Sequence, residues 1–297
     1  MEEFTTYINH CAQQFSIIQK CLICPYGQCI HDLPEEQNLD CSSCLAKIHR
    51  RVNQGKYTYQ CQKIIYNYIL RHGHRYASEI DKILNLLKQT QDVQLPNELN
   101  VASIGCGPCT ELFGIMKQFA DHTIHYKGFD RSTIWQPLTT FERSLFPNKD
   151  VEFTNMDFFT YMAGCYLHVD ILILNYVLSD MVRCQSAADC SAFIDNIIGL
   201  CDSGRISYIV INDIYLTYAS GTGYALMEEL ARKLRNDKNV FEREARGRFA
   251  EPNQWQPEYG TKKSDTLSFP IVEQAVLSYS PMKSCGSIFI VIETKQR

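Results

Sequence analysis

A chain of 297 residues with 45% hydrophobic and 21% charged side chains has enough apolar surface to close one large core or two smaller ones, which excludes a disordered polymer. The net charge of -4 excludes a strongly basic body built to coat nucleic acid. No run reaches the roughly 18–20 apolar residues of a membrane span, and the start Met1-Glu2-Glu3 lacks the basic and apolar pattern of a secretory leader. The expectation is a cytoplasmic protein with no membrane partner, whose 14 cysteines are metal ligands or small core residues rather than a disulfide framework.

Phe4, Tyr7, Ile8, Cys11, Phe15 and Ile18 recur at steps of three and four, so residues 3–19 read as an amphipathic helix. Two CxxC pairs follow, Cys21/Cys24 and Cys41/Cys44, separated by sixteen residues. That spacing suits a tetrahedral four-thiolate Zn2+ site, whose binding energy would fold a segment too short to close a core alone. An iron–sulfur cluster is the less favoured metal, and Cys29 and His31 are alternative ligands. Residues 57–92 carry an apolar stripe through Ile65, Ile69, Tyr76, Ile80 and Leu84 and read as helix, with Gly73 as a candidate break. The turn at Gln94-Leu95-Pro96-Asn97 then separates three regions: a helical, metal-binding lobe at 1–56, a helical connector at 57–96 and a domain at 97–297.

From residue 100 the pattern alternates. Strands are predicted at 100–104, 124–130, 151–155, 169–175 and 206–213, with helices at 109–121, 134–146, 189–201 and 223–236. Helical crossovers between strands imply an α/β fold with a mostly parallel sheet. Two further strands at 271–279 and 286–293 have too short a connection for a crossover and read as an antiparallel hairpin, for seven strands in all. Residues 240–268 read as a long insert. Arg243, Arg246, Arg248, Trp255, Tyr259, Lys262 and Lys263 interleave there as cations and rings do in grooves for RNA, and Glu242, Glu244, Glu251 and Glu258 dilute the charge.

The first strand runs into Gly105-Cys106-Gly107-Pro108-Cys109-Thr110, a turn that lets backbone approach a ligand. Thr110 stands where a dinucleotide fingerprint wants its third glycine, and the Lys-Ser/Thr pair of an ATP loop is missing. Asp130 ends the second strand, where a carboxylate accepts from ribose hydroxyls; Asp157 follows the third, where it can accept from an adenine amine beside Phe158. Together with the Asn175-Tyr176-Val177-Leu178-Ser179-Asp180 run after the fourth strand, these motifs resemble the class I S-adenosylmethionine-dependent methyltransferases over residues 95–297. The departure is Cys109, where many members have glycine.

The resemblance implies a Rossmann-like methyltransferase fold and S-adenosylmethionine as cofactor. It assigns Gly105, Cys106, Gly107, Pro108, Asp130, Arg131, Asp157, Phe158, Asn175 and, from the preceding helix, Tyr76 to the cofactor. It places Asn175 and Tyr176 where donor and acceptor meet, with Asp180 as a base or orienting group. The methyl acceptor (RNA, protein or small molecule) is unspecified. Two other readings stand beside this one: a non-catalytic assembly protein of the same fold acting through its metal lobe, and a nicotinamide-dependent oxidoreductase.

Overall fold

The apolar run Val169–Leu174 and the β-branched run Ile206–Ile211 are buried throughout, as strands covered on both faces must be. They form the centre of the sheet in the computed structural model, which describes residues 1–18, 44–45, 48, 59–90, 93–214, 223–249, 261–273 and 280–295. Among the described residues the strands are β1 (Glu98–Ile104), β2 (Thr123–Phe129), β3 (Asp150–Thr154), β4 (Val169–Asn175), β5 (Ile206–Ile214), β6 (Phe241–Arg248), the two-residue β7 (Thr261–Lys262) and β8 (Ser287–Thr294). Their order is β3-β2-β1-β4-β5-β8-β6-β7. β1 to β5 are parallel, and β8 runs antiparallel to both β5 and β6. This is a Rossmann-like α/β sheet in which the C-terminal strand β8 is reversed. Strand order reverses at β1 and β4, which opens a crevice beyond their carboxyl ends.

Two expectations for the C-terminal part are corrected. The partner of the last strand is not 271–279 but β6, inside the segment read as an insert. Residues 271 and 272 are irregular, 273 is helical, and 274–279 lie outside the described residues. Strand β6 was hidden because its FEREARGR sequence alternates charge rather than hydrophobicity. Its arginines are occupied by carboxylates: Arg243 pairs with Glu293, Arg246 with Glu228 and Glu244, and Arg248 is buried. The proposed RNA clamp is therefore not assembled there among the described residues; Trp255 and Tyr259 lie outside them, as do the side chains of Lys262 and its neighbour Thr261.

Helix α1 (Glu2–Ile17) packs Phe4, Tyr7, Ile8, Cys11 and Phe15 inward against α2 (Gln62–Gln89). α2 is continuous, so Gly73 is no break. A Cβ there would lie 3.3 Å from Ile69 Cγ2, 3.5 Å from Thr110 Cγ2 and 3.7 Å from Ile8 Cδ1, and its absence lets α1 and the loop after β1 pack closely. The remaining helices are α3 (Glu111–Gln118), α4 (Gln136–Ser144), α5 (Phe158–Gly164), α6 (Val177–Cys184), α7 (Ala187–Asp202) and α8 (Gly223–Asn236). α5 has seven residues and α6 eight. Each is started by a carboxylate: Asp157 caps α5, and Asp213 at the end of β5 accepts the Ser179 amide in the first turn of α6 at 2.9 Å. α7 begins with a reciprocal Ser186/Asp189 capping box.

Of the proposed metal ligands, Cys21, Cys24 and Cys41 lie outside the described residues, as do Cys29 and His31. Cys44 is buried with Leu45 and Ile48 in the apolar cluster of α1 and α2. Among the described residues no group of three or more His, Cys, Asp or Glu side chains is arranged to hold a metal ion, and no helix is long and apolar enough to cross a membrane.

Candidate functional site

A cavity of about 730 Å³ occupies the crevice at the carboxyl ends of β1 to β4. Every cofactor and acceptor residue proposed from the sequence lines it: Gly105, Cys106, Gly107, Pro108, Asp130, Arg131, Asp157, Phe158, Asn175, Tyr76, Tyr176 and Asp180. Its volume lies within the range of small-molecule sites.

The loop after β1 is held in a glycine-dependent shape. Gly105 and Gly107 have φ of +62° and +51°, and a Cβ on Gly105 would come within 2.5 Å of Val177 Cγ2. Cys109 also adopts φ +59°, a left-handed conformation that favours glycine, and carries the backbone strain this entails. Three contacts fix the loop: Tyr7 of α1 donates to Pro108 O at 3.1 Å, Trp135 lies along Gly107, and the Cys106 amide donates to Phe129 O at 3.1 Å.

Asp130 stands at the centre of this arrangement. Its Oδ2 accepts the Gly107 amide at 2.9 Å and its Oδ1 accepts the Ser132 amide at 2.7 Å. Burial holds its carboxyl above the ordinary range, and the two amides offset only part of that. A carboxylate has about four acceptor positions, so capacity for two more donors is left. Asp157 accepts the Thr160 amide at 3.0 Å as the cap of α5 and the Arg131 guanidinium at 2.7 Å. Partial burial works to raise its carboxyl, but the Arg131 and Thr160 bonds outweigh it and hold it low.

The residues after β4 are more constrained than their sequence suggested. Tyr176 has φ +58° and is buried; its hydroxyl donates to Glu79 Oε2 at 2.8 Å. Burial and the Glu79 charge push that phenol well above its ordinary range. Asn175 Oδ1 accepts from Asn212 at 2.9 Å. Asp180 pairs with Arg183 at 2.9 Å, with its side chain 42% exposed. The structure places Asn175 and Tyr176 at the cavity, with their polar groups in a buried network; Asp180 lines the same cavity and stays partly exposed.

That network centres on Glu79, which sequence reasoning missed. Glu79 Oε1 accepts from Arg75 Nε at 2.9 Å and the Gly286 amide at 2.8 Å; Oε2 accepts from Tyr176 and, at 3.0 Å, from Asn212 Nδ2. It joins α2 to the ends of β4, β5 and β8. A glutamate on the apolar face of a predicted helix was the available signal. Glu111 was also missed. It lines the cavity, and Ser103 Oγ donates to its Oε1 at 2.6 Å. Burial pushes this carboxyl up to about 7 against that hydrogen bond. His74, within α2, is buried, accepts the Val272 amide at 3.2 Å and is driven down to about 4 by burial, as suits a packed neutral imidazole.

The lining carries four aspartates (Asp130, Asp157, Asp180, Asp189) and the half-protonated Glu111 against two guanidinium groups, Arg131 and Arg183. Such a surface favours a cationic ligand and repels a pyrophosphate.

No family model matches this chain, and no curated protein matches it. Among solved structures it is similar to the plantazolicin methyltransferase BpumL in complex with SAH, at 13% identity over 86% of this chain and 98% of that one, with a TM-score of 0.49. It is also similar to the plantazolicin methyltransferase BamL with SAH and a desmethylPZN analog, at 12% identity over 85% and 97% of the two chains (TM-score 0.47). A third is an rRNA methylase from Streptococcus thermophilus, at 11% identity over 75% and 94% (TM-score 0.40).

Proposed function

We propose that the protein is an S-adenosylmethionine-dependent methyltransferase. The observation that carries this reading is the convergence of the Gly105–Pro108 loop, Asp130, Asp157 and the Asn175–Tyr176 turn on one carboxylate-rich cavity at the switch point of the sheet. The cavity fits the cofactor in three respects. The free acceptor positions of Asp130 suit the two ribose hydroxyls. Phe158 and Asp157 offer a ring face and an acceptor for the purine. The excess of carboxylates suits a ligand with a net positive charge. That excess also disfavours a nicotinamide dinucleotide, as does the reversed strand β8, since a dinucleotide fold keeps its strands parallel.

The bound cofactor supplies a methyl group already activated on a sulfonium. The chain's contribution is to bind, orient and exclude water. Tyr76 and Tyr176, with ring centroids 4.1 Å apart, wall off the α2 side, and Trp135 closes the loop side. Asn175 and Tyr176, tied through Asn212 and Glu79, hold the turn where donor and acceptor meet. Alignment and desolvation are the main sources of rate in such a displacement. Asp180 is the group positioned to take a proton from an acceptor that needs one removed.

Calorimetric titration with S-adenosylmethionine, its demethylated product and NAD tests the reading. The first two should bind and NAD should not. Asp130→Ala should weaken binding by about 10- to 100-fold, since it removes hydrogen bonds to a charged group worth about 1.5–3 kcal/mol. Unchanged affinity in that variant removes the ribose role. Transfer of labelled methyl into a cell extract separates an enzyme from a binding protein of the same fold.

A further inference from the structure

Cys106-Gly107-Pro108-Cys109 is a CxxC sequence lying inside the loop that lines the cavity, and its two thiols are side by side. The Cys109 amide donates to Cys106 O at 2.8 Å, closing a four-residue turn. Such a turn keeps its end Cα atoms under about 7 Å apart, near the range a disulfide spans. Both Sγ atoms lie 3.0 Å from the one point that a Cβ of Gly128 would fill, so Gly128 on β2 makes room for the pair. The thiols are hydrogen-bonded to each other, and Cys109 Sγ also contacts Tyr126 Oη at 2.7 Å. Cys106 borders the cavity with 8% of its surface exposed, whereas Cys109 is fully covered behind it.

We propose that Cys106 and Cys109 are a redox-active pair that a peroxide converts to a disulfide, and that this bridge remodels the loop and closes the site to its cofactor. The step balances with hydrogen peroxide as oxidant. Cys106 sulfur attacks one peroxide oxygen, an S–O bond forms, the O–O bond breaks and water leaves. Cys109 sulfur then displaces the oxygen from Cys106, forming the S–S bond and releasing a second water. Two electrons pass from the thiols to the peroxide, and the two thiol protons end in water.

The consequence for the site follows from position. Gly107, whose amide holds Asp130, lies between the two cysteines in the turn, so a bridge that draws the turn tighter moves Asp130's donor. It also pulls Cys109 away from Tyr126. The mutual hydrogen bond lowers the Cys106 thiol, but burial and the nearby carboxylates outweigh it and leave it at about 11. Bridging is therefore slow at neutral pH and accelerates as pH rises toward that value, because the thiolate is the reacting form.

The second half of the proposal rests on the methyltransferase reading; the first half does not. The experiment treats the purified full chain with hydrogen peroxide, alkylates remaining thiols and maps tryptic peptides. The peptide 89–117 holds Cys106 and Cys109 and no other cysteine, so the bridge appears as an unalkylated peptide two hydrogens lighter. The bridged peptide should form, faster at pH 9 than at pH 7, and revert with a phosphine reductant. The oxidised protein should bind S-adenosylmethionine about tenfold or more weakly, and by reciprocity the cofactor should shift the dithiol–disulfide equilibrium, read in a glutathione couple, by the same factor. Cys109→Gly, which suits φ +59°, should bind cofactor with an affinity indifferent to peroxide. A peptide that remains a dithiol while exposed Cys184 is oxidised overturns the pair. A bridge that forms without weakening the cofactor overturns the gate. If the reduced protein binds no cofactor, the methyltransferase reading and the gate both fail, and the mass spectrum still decides the thiol pair.

Discussion

Glu79→Gln probes the joint between helix α2 and the site most directly, because it keeps the shape of the side chain and removes its charge. Glu79 is fully buried and accepts four hydrogen bonds, one of them from the Arg75 guanidinium, whose side chain is 15% exposed. If the amide oxygen of the variant stays toward Arg75 and Gly286, its NH2 faces Tyr176 and Asn212. The Tyr176 hydroxyl can turn to accept. Asn212 Nδ2 cannot, so one N–H on each side is left against another donor, a cost of about 1–3 kcal/mol. Arg75 loses its counter-ion, and breaking a buried pair from one side costs about 3–5 kcal/mol in comparable cases. The two figures overlap because they share bonds, so the expected loss is about 3–5 kcal/mol, a large share of the roughly 5–15 kcal/mol that stabilises a whole domain. Urea titration measures it as a lower midpoint with an unchanged slope. Calorimetry of the folded variant should also show weaker cofactor binding, because Tyr176 and Asn175 lose their anchor. A variant with wild-type midpoint and wild-type affinity would refute the claim that this network holds the site.

Glu111 predicts a pH dependence. Its folded carboxyl lies near 7 against an ordinary 4.5, so the folded chain holds a proton that the unfolded chain releases. The stability it contributes is complete below about pH 4.5 and is lost as pH rises through 7, by about 3 kcal/mol over that 2.5-unit window. Glu111→Gln should flatten that part of the stability profile, and an unaltered slope in urea titrations from pH 5 to 8 would show that Glu111 is not its source. The paired CxxC spacing predicts a bound metal: elemental analysis should find about one zinc per chain, and Cys41→Ser with Cys44→Ser should release it. Equal metal content in the double variant would mean that these thiols are not the ligands.

The parallel half of the fold was legible because its signals are local. Buried strands are continuous apolar runs, and the turn after β1 announces itself through Gly105 and Gly107. Asp130 and Asp157 were legible as cavity-lining residues because each follows a strand end beside the glycine loop. What stayed hidden depends on partners distant in sequence. Strand β6 pairs its charged face with Glu228 and Glu293, so hydrophobic alternation never appears. Glu79 and Asn212 are 133 residues apart and acquire meaning only when α2 crosses the end of β5. The tie of Tyr176 to that network was hidden for the same reason: its position was readable from the strand end, whereas its hydrogen-bond partner on α2 was not.

That distinction decides which side chain can take part in proton transfer. The Tyr176 hydroxyl is spent on Glu79 and its phenol is driven up by burial, so it is neither free nor basic at neutral pH. Asn175 has no titratable proton. Asp180 lines the cavity and is partly exposed, and its partner Arg183 is separately tethered to Ile48 O at 3.1 Å. Arg183 should therefore hold its place when the carboxylate is neutralised, which makes Asp180→Asn a clean test of chemistry rather than folding. If the acceptor must shed a proton as it is methylated, the variant should retain cofactor binding and lose about 10²- to 10⁴-fold in labelled-methyl transfer, the usual contribution of a positioned base. A variant that transfers methyl at the wild-type rate would mean that the acceptor attacks without a base, and that Asp180 serves only to hold Arg183.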